Sequence, residues 1–124
     1  MTTAITTHVP EASWRDLVRW AMRRRQRFVV AGSSMQPTIE PGDVVLVDTT
    51  AYRAAIPAND DVVVLRHPRN DELAIVKRVH YVDDFGRTYL LSDNNSEIDA
   101  EDSRRFGLVE PHNLVGRVTS RLTR

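Results

Sequence analysis

From Phe28 onward the chain breaks into short runs rich in branched and aromatic residues, and residues with specific backbone requirements stand between them. The runs are Phe28 to Ala31, Asp43 to Asp48, Asp61 to Arg66, Leu73 to Val82, Arg87 to Ser92 and Leu114 to Leu122. None is long enough for a helix of ordinary length with an apolar stripe, and several alternate or are apolar throughout, so they predict strands. Pro41-Gly42 suits the two central positions of a type II turn, because proline fixes φ and glycine accepts positive φ. Asp83-Asp84-Phe85-Gly86 reads as a hairpin loop. Asp93 to Phe106 is polar and irregular, and a long polar loop in a chain of 124 residues is commonly functional. The body is therefore expected to be mainly β.

The first residues differ. Met1 to Pro10 reads as a loose polar tail, after which Ser13 offers an N-cap and Asp16 the acidic position of a capping box. Trp14, Leu17, Val18, Ala21 and Met22 fall on one helical face, while Arg15, Arg19 and Arg23 fall on the other. The reading divides the chain at residue 27, with a tail and one basic amphipathic helix over 1–27 and a β-rich domain over 28–124. Arg23, Arg24, Arg25 and Arg27 close the helix. They read either as a solvated, dipole-complementing end or as a contact for a membrane surface or an acidic partner.

Composition narrows the chemistry. Seventeen basic and seventeen acidic side chains leave no formal net charge, which argues against a dedicated nucleic-acid binder. The chain has no cysteine, so a nucleophile must be Ser, Thr, Lys or carboxylate. Its aliphatic runs fall short of the ~18 residues a membrane span needs, and the N-terminus has no apolar core of a signal peptide. A cytoplasmic location is the expectation. His8, His67, His80 and His112 lack ligand spacing and read as surface or loop residues, so neither a metal nor another cofactor is expected.

The stretch Gly32-Ser33-Ser34-Met35-Gln36-Pro37-Thr38-Ile39-Glu40-Pro41-Gly42-Asp43 is a serine turn between two strands. Gly32 allows close backbone approach, Pro37 stiffens the exit, and Met35 places an apolar side chain beside the hydroxyls. By composition alone it is either an ordinary serine-rich loop or a nucleophile turn. Forty-three positions beyond Ser34 stands Lys77, within Leu73-Ala74-Ile75-Val76-Lys77-Arg78-Val79-His80-Tyr81. Strand alternation puts Lys77 on one face with Ile75, Val79 and Tyr81, and Arg78 and His80 on the other. On an apolar face the amine either loses hydration and becomes a usable base or snorkels at a sheet edge.

Taken together, Ser34-Met35-Gln36-Pro37-Thr38-Ile39, Pro41-Gly42-Asp43, Val76-Lys77-Arg78-Val79, Asp93-Asn94, and Asp102-Ser103-Arg104 with Phe106-Gly107 resemble the signal-peptidase-I-like serine peptidases, over about Phe28 to Val118. The resemblance implies a β-rich peptidase fold and a Ser-Lys dyad, with Ser34 as nucleophile and Lys77 as general base. It also implies oxyanion or substrate-binding roles around Gly32, Ser33 and Met35. Relatives carry a glycine where this chain has Ser92, a shorter spacing between Asp93 and Asp102, and a lysine-orienting serine where this chain has Ala100. Ser92, Ser96 or Ser103 replaces that bond, or Lys77 is held less firmly. Asp93 and Asn94 are expected to tie the loop to backbone groups, and Asp102 and Arg104 to brace the site as an ion pair.

Arg23-Arg24-Arg25-Gln26-Arg27-Phe28 and Arg66-His67-Pro68 look closest to the soluble branch that matures nickel-type superoxide dismutase, removing the N-terminal propeptide of the precursor. The implied partner is that protein substrate, with no nucleic acid and no required membrane contact. The alternatives are a small signal peptidase at the membrane surface, an inactive peptide-binding domain, and a self-cleaving regulatory domain. The last is disfavoured because Ala31-Gly32 lies too close to Ser34 to reach it.

Overall fold

The computed structural model describes residues 14–15, 25–96 and 101–122. Six strands form one antiparallel sheet: β1 (Gln26–Val29), β2 (Val44–Asp48), β3 (Val62–His67), β4 (Asn70–Val82), β5 (Thr88–Leu91) and β6 (Leu114–Leu122). Their order across the sheet is β1-β2-β6-β3-β4-β5. A short helix, Ser103–Phe106, and a 3-10 turn, Pro111–Asn113, precede β6. The mainly β expectation holds, and the strands follow the runs read from sequence to within a few residues.

β2 from Val44 to Val47 and β3 from Val62 to Leu65 are apolar because both faces of the sheet are covered there. Val62 and Val64 face a cluster with Val30, Met35, Ile39, Val45, Val47 and Val118. Val63 and Leu65 face the other way, into a cluster with Val79, Leu90 and Val109. Burying a valine or leucine fully stabilises by roughly 1.5–3 kcal/mol, so these two layers hold the sheet.

Irregularities in pairing curl the sheet. Register shifts fall at Leu46/Val47 against β6, at Val64/Leu65 between β3 and β6, and at Val79/Tyr81 between β4 and β5. Each adds local twist. The segments that follow the two edge strands consequently meet: the Asn94 N–H, beyond β5, donates to the Ser34 carbonyl, beyond β1, at 2.8 Å.

Several local expectations change. β4 begins at Asn70, not Leu73, pairing back on His67 through Pro68-Arg69. Asn70, Asp71 and Glu72 are exposed, and their polarity hid the hairpin. Tyr81 leaves the face of Lys77. Val79 pairs with Leu90 but Tyr81 pairs with Tyr89, so the extra residue at His80 inverts the alternation, and Tyr81 stacks on Tyr89 at 5.2 Å. Arg25 is not part of a solvated helix end: its Nε donates to Thr119 Oγ1 at 3.2 Å and its Nη1 lies 3.6 Å from Asp48 Oδ2. Trp14 and Arg15 are helical, but Trp14 is exposed, so it does not sit on a buried face. The rest of the expected helix, 16–24, and the tail, 1–13, lie outside the described residues.

Gly116 sets the closest approach of β6 to β2. A Cβ there would overlap the Asp48 carbonyl oxygen and come within 2.8 Å of Val47 Cγ1. Gly116→Ala is therefore expected to lower stability by about 1–3 kcal/mol, measured as a reduced urea midpoint with an unchanged slope. An unchanged midpoint would show that the two strands separate there without cost.

Candidate active site

The serine turn is built from its base upward. Val30 N–H donates to the Asp43 carbonyl at 2.9 Å, and Gly42 N–H donates to the Val30 carbonyl at 2.7 Å, closing the loop on the end of β1. Asp43 N–H donates to the Glu40 carbonyl at 3.0 Å across Pro41-Gly42, with Gly42 at φ +91°, as the type II reading requires. Asp43 Oδ2 also accepts from Glu40 N–H at 2.9 Å. The Gln36-Pro37 peptide is cis.

Met35 and Ile39 point down into the core, with Met35 only 1% exposed. Packed in that cluster, the Met35 side chain anchors the turn from below. Ser34 and Ser33 remain half-buried above it, and Gly32 is exposed. An added Cβ at Gly32 would meet nothing within 4 Å, so none of the described residues makes the close approach expected there.

Lys77 reaches Ser34 from β4. Opposite Val63 of β3, it shares its face with Ile75 and Val79 and is 3% exposed. Lys77 Nζ and Ser34 Oγ are 2.7 Å apart in a hydrogen bond. Burial holds the Lys77 pKa below the ordinary lysine value of 10.5, and Arg104 pushes it the same way. Asp102, Asp93 and Glu101 oppose the shift without cancelling it. Desolvation wins because the amine lies among apolar side chains and makes no direct ion pair among the described residues.

The segment after β5 locks the two groups together. Asn94 Nδ2 donates to the Ser33 carbonyl at 2.9 Å, beside the bond from its N–H to Ser34. Asn94 thus ties the loop to backbone, as expected. Asp93 does not: it takes a fork from Arg78, with Nε and Nη2 each at 2.9 Å. Arg78 Nη1 also donates to the Asp60 carbonyl at 3.0 Å. Arg78 escaped the sequence reading because alternation pointed it away from Lys77. It does point away, and the chain wraps round to meet it.

Asp102 is 0% exposed and is the N-cap of the short helix. Its carboxylate accepts from Ser92 N–H at 2.9 Å, from Arg104 N–H at 3.0 Å, and from Arg104 Nε and Nη2 at 3.1 and 2.7 Å. Burial pushes its pKa up, but the Arg104 and Ser92 bonds outweigh this and bring it down to about 2. Ser103 Oγ accepts from Leu90 N–H at 2.8 Å. The expected Asp102–Arg104 brace is present.

His67 is not a surface residue. Its Nδ1 accepts from Arg69 N–H at 3.1 Å, its Nε2 lies 3.1 Å from Glu101 Oε1, and Phe106 packs edge-on at 5.1 Å. It reaches the short helix through neighbours far away in sequence. His80 and His112 are exposed as expected, and His8 lies outside the described residues.

The antiparallel sheet and its serine turn thus bring a hydroxyl within hydrogen-bond distance of a buried amine, a pairing that nucleophilic chemistry can use. The signal peptidase, peptidase S26 family matches residues 18–82, which include both Ser34 and Lys77, and the chain belongs to that family. It is 32% identical over 54 residues to a protein named Signal peptidase I from Aquifex aeolicus (strain VF5). That alignment covers 44% of this chain and 21% of the relative, so the chain matches about a fifth of the longer protein.

Proposed function

We propose that the chain is a serine endopeptidase in which Ser34 attacks and Lys77 is the general base. The 2.7 Å bond between the hydroxyl and a buried amine carries this reading. In the proposed sequence, neutral Lys77 takes the Ser34 proton as Oγ forms a bond to the carbonyl carbon of the scissile peptide. The Ser34 backbone N–H, in none of the turn's backbone–backbone bonds among the described residues, is the proposed donor to the resulting oxyanion. The ammonium of Lys77 then protonates the leaving nitrogen as the C–N bond breaks, giving an ester on Ser34. Water, deprotonated by Lys77, releases the acyl group as a carboxylic acid.

The substrate in this proposal is the N-terminal propeptide of a nickel superoxide dismutase precursor in the cytoplasm, supported by the sequence resemblance at Arg23 to Phe28 and Arg66-His67-Pro68. A membrane-surface signal peptidase is the second reading, favoured by the name of the Aquifex relative. Coexpression with such a precursor, followed by mass measurement of its N-terminus, tests the choice. The expected result is a trimmed precursor with the wild-type chain and an intact one with Ser34→Ala. An intact precursor in both, with cleavage of a secretory preprotein on vesicles, would replace the first reading by the second.

A further inference from the structure

We infer that His67 is a positioning residue of the site: its imidazole N–H holds the Glu101 carboxylate in place, and that carboxylate steadies the positive charge Lys77 acquires on taking the Ser34 proton. The catalytic consequence rests on the peptidase reading; the contact itself does not. Lys77 Nζ bonds to Ser34 and to no other described residue, so the ammonium it becomes depends on charges it does not touch. Asp102 is one of these, with its oxygens committed to Arg104 and to the Ser92 N–H. Glu101, the residue before it, is another, and its side chain is 42% exposed. A carboxylate that exposed turns into solvent, where its field is screened, unless something fixes it.

His67 supplies the fixed point. It is 5% exposed at the end of β3. Its Nδ1 accepts from the Arg69 backbone N–H at 3.1 Å, and a backbone N–H can only donate, so the ring proton is on Nε2. Nε2 faces Glu101 Oε1 at 3.1 Å, and Phe106 sets the plane of the ring edge-on at 5.1 Å.

Two further ties run alongside. Arg69 Nη2 donates to the Arg105 carbonyl at 3.2 Å, and Arg105 Nε lies 3.4 Å from Glu101 Oε2. The turn between β3 and β4 is thereby joined to both flanks of Asp102 and to the short helix. An imidazole with one proton orients the carboxylate without cancelling its charge. Arg105 is half-exposed, so water screens its share of the compensation. The Glu101 charge therefore remains available to Lys77, where it favours the charged amine.

Lys77 is the single lysine of the chain, so lysine-labelled protein gives one NMR signal to titrate. His67→Gln sets an amide N–H near the Nε2 position and keeps the tie to Glu101; His67→Asn sets an amide oxygen near the Nδ1 position and keeps only the bond from Arg69. His67→Asn is expected to lower kcat about threefold with KM unchanged and to move the Lys77 titration to lower pH, and His67→Gln to retain the wild-type values of both. Glu101→Gln removes the charge and leaves the buried ring in place; it is expected to match His67→Asn, and the double variant to match either alone. An unmoved Lys77 titration in Glu101→Gln would overturn the inference, as would a His67→Asn protein that behaves as the wild type while His67→Gln is impaired. If the wild-type chain cleaves no peptide, the peptidase reading fails while the titrations still decide whether Glu101, held by His67, acts on Lys77.

Discussion

Ser34→Ala and Lys77→Ala are each expected to abolish peptide cleavage, lowering kcat by about 10³-fold or more, with no additional loss when the two are combined. The hydroxyl and the amine act as one unit, so either substitution removes the whole step. In the wild type, kcat/KM is expected to rise with pH through one ionisation centred below 10.5, because burial favours the neutral amine. The same shift has a cost in stability. Below its folded pKa, Lys77 is charged in both states and its burial opposes folding; the penalty is relieved as pH rises through that pKa toward the unfolded value. Lys77→Met keeps the stem and drops the charge, so at acidic pH it should melt above the wild type while remaining inactive. A Lys77→Met protein that melts lower, or cleaves, would contradict the assignment.

Asp102 carries the second large effect. It joins the end of β5 to the short helix, through Ser92 on one side and Arg104 on the other. Asp102→Ala is expected to cost about 3 kcal/mol, since it strips a helix cap and leaves buried donors without an acceptor. Activity is expected to fall further than stability alone predicts, because the segment that Asp102 holds through the Ser92 N–H carries Asn94, which bonds the Ser33 and Ser34 carbonyls. The acid dependence has a definite sign. The Asp102 pKa is lowered from 3.8 to about 2, so its contribution is complete above the unfolded value and is lost as pH falls through about 2. Urea midpoints of the wild type and of Asp102→Ala should therefore converge as pH drops over that window. A gap that stays constant would show that the carboxylate's charge is not what the fold uses.

Much of this was legible in the sequence because two faces of one sheet leave two different signatures. Apolar runs such as Val44 to Val47 and Val62 to Leu65 mark central strands, and Pro41-Gly42 and Asp83 to Gly86 mark turns whose φ values the structure reproduces at Gly42 and Gly86. Alternation also placed Lys77 correctly with Ile75 and Val79. It failed at Tyr81, because one unpaired residue at His80 inverts the face and nothing in residue type announces a bulge. The burial of Met35 was hidden for a related reason: an apolar residue in a serine turn can line it or anchor it, and residue type alone does not say which. Arg78, His67 and Glu101 were missed because their partners come from other strands and loops. Local pattern cannot register an ion pair between a strand and a loop that folds back over it. The short helix was hidden by its polarity, although Asp102 before it and Gly107 after it, at φ +77°, are its caps.

The most direct measurement of the nucleophile is a burst experiment with an activated peptide ester, acid-quenched and mapped by mass spectrometry. The acyl group is expected on Ser34, formed at a rate that rises as Lys77 loses its proton, and absent from Ser34→Ala and Lys77→Ala. An adduct on any other residue, or one that forms on Ser34 at the same rate in Lys77→Ala, would contradict the pairing of this hydroxyl with this amine.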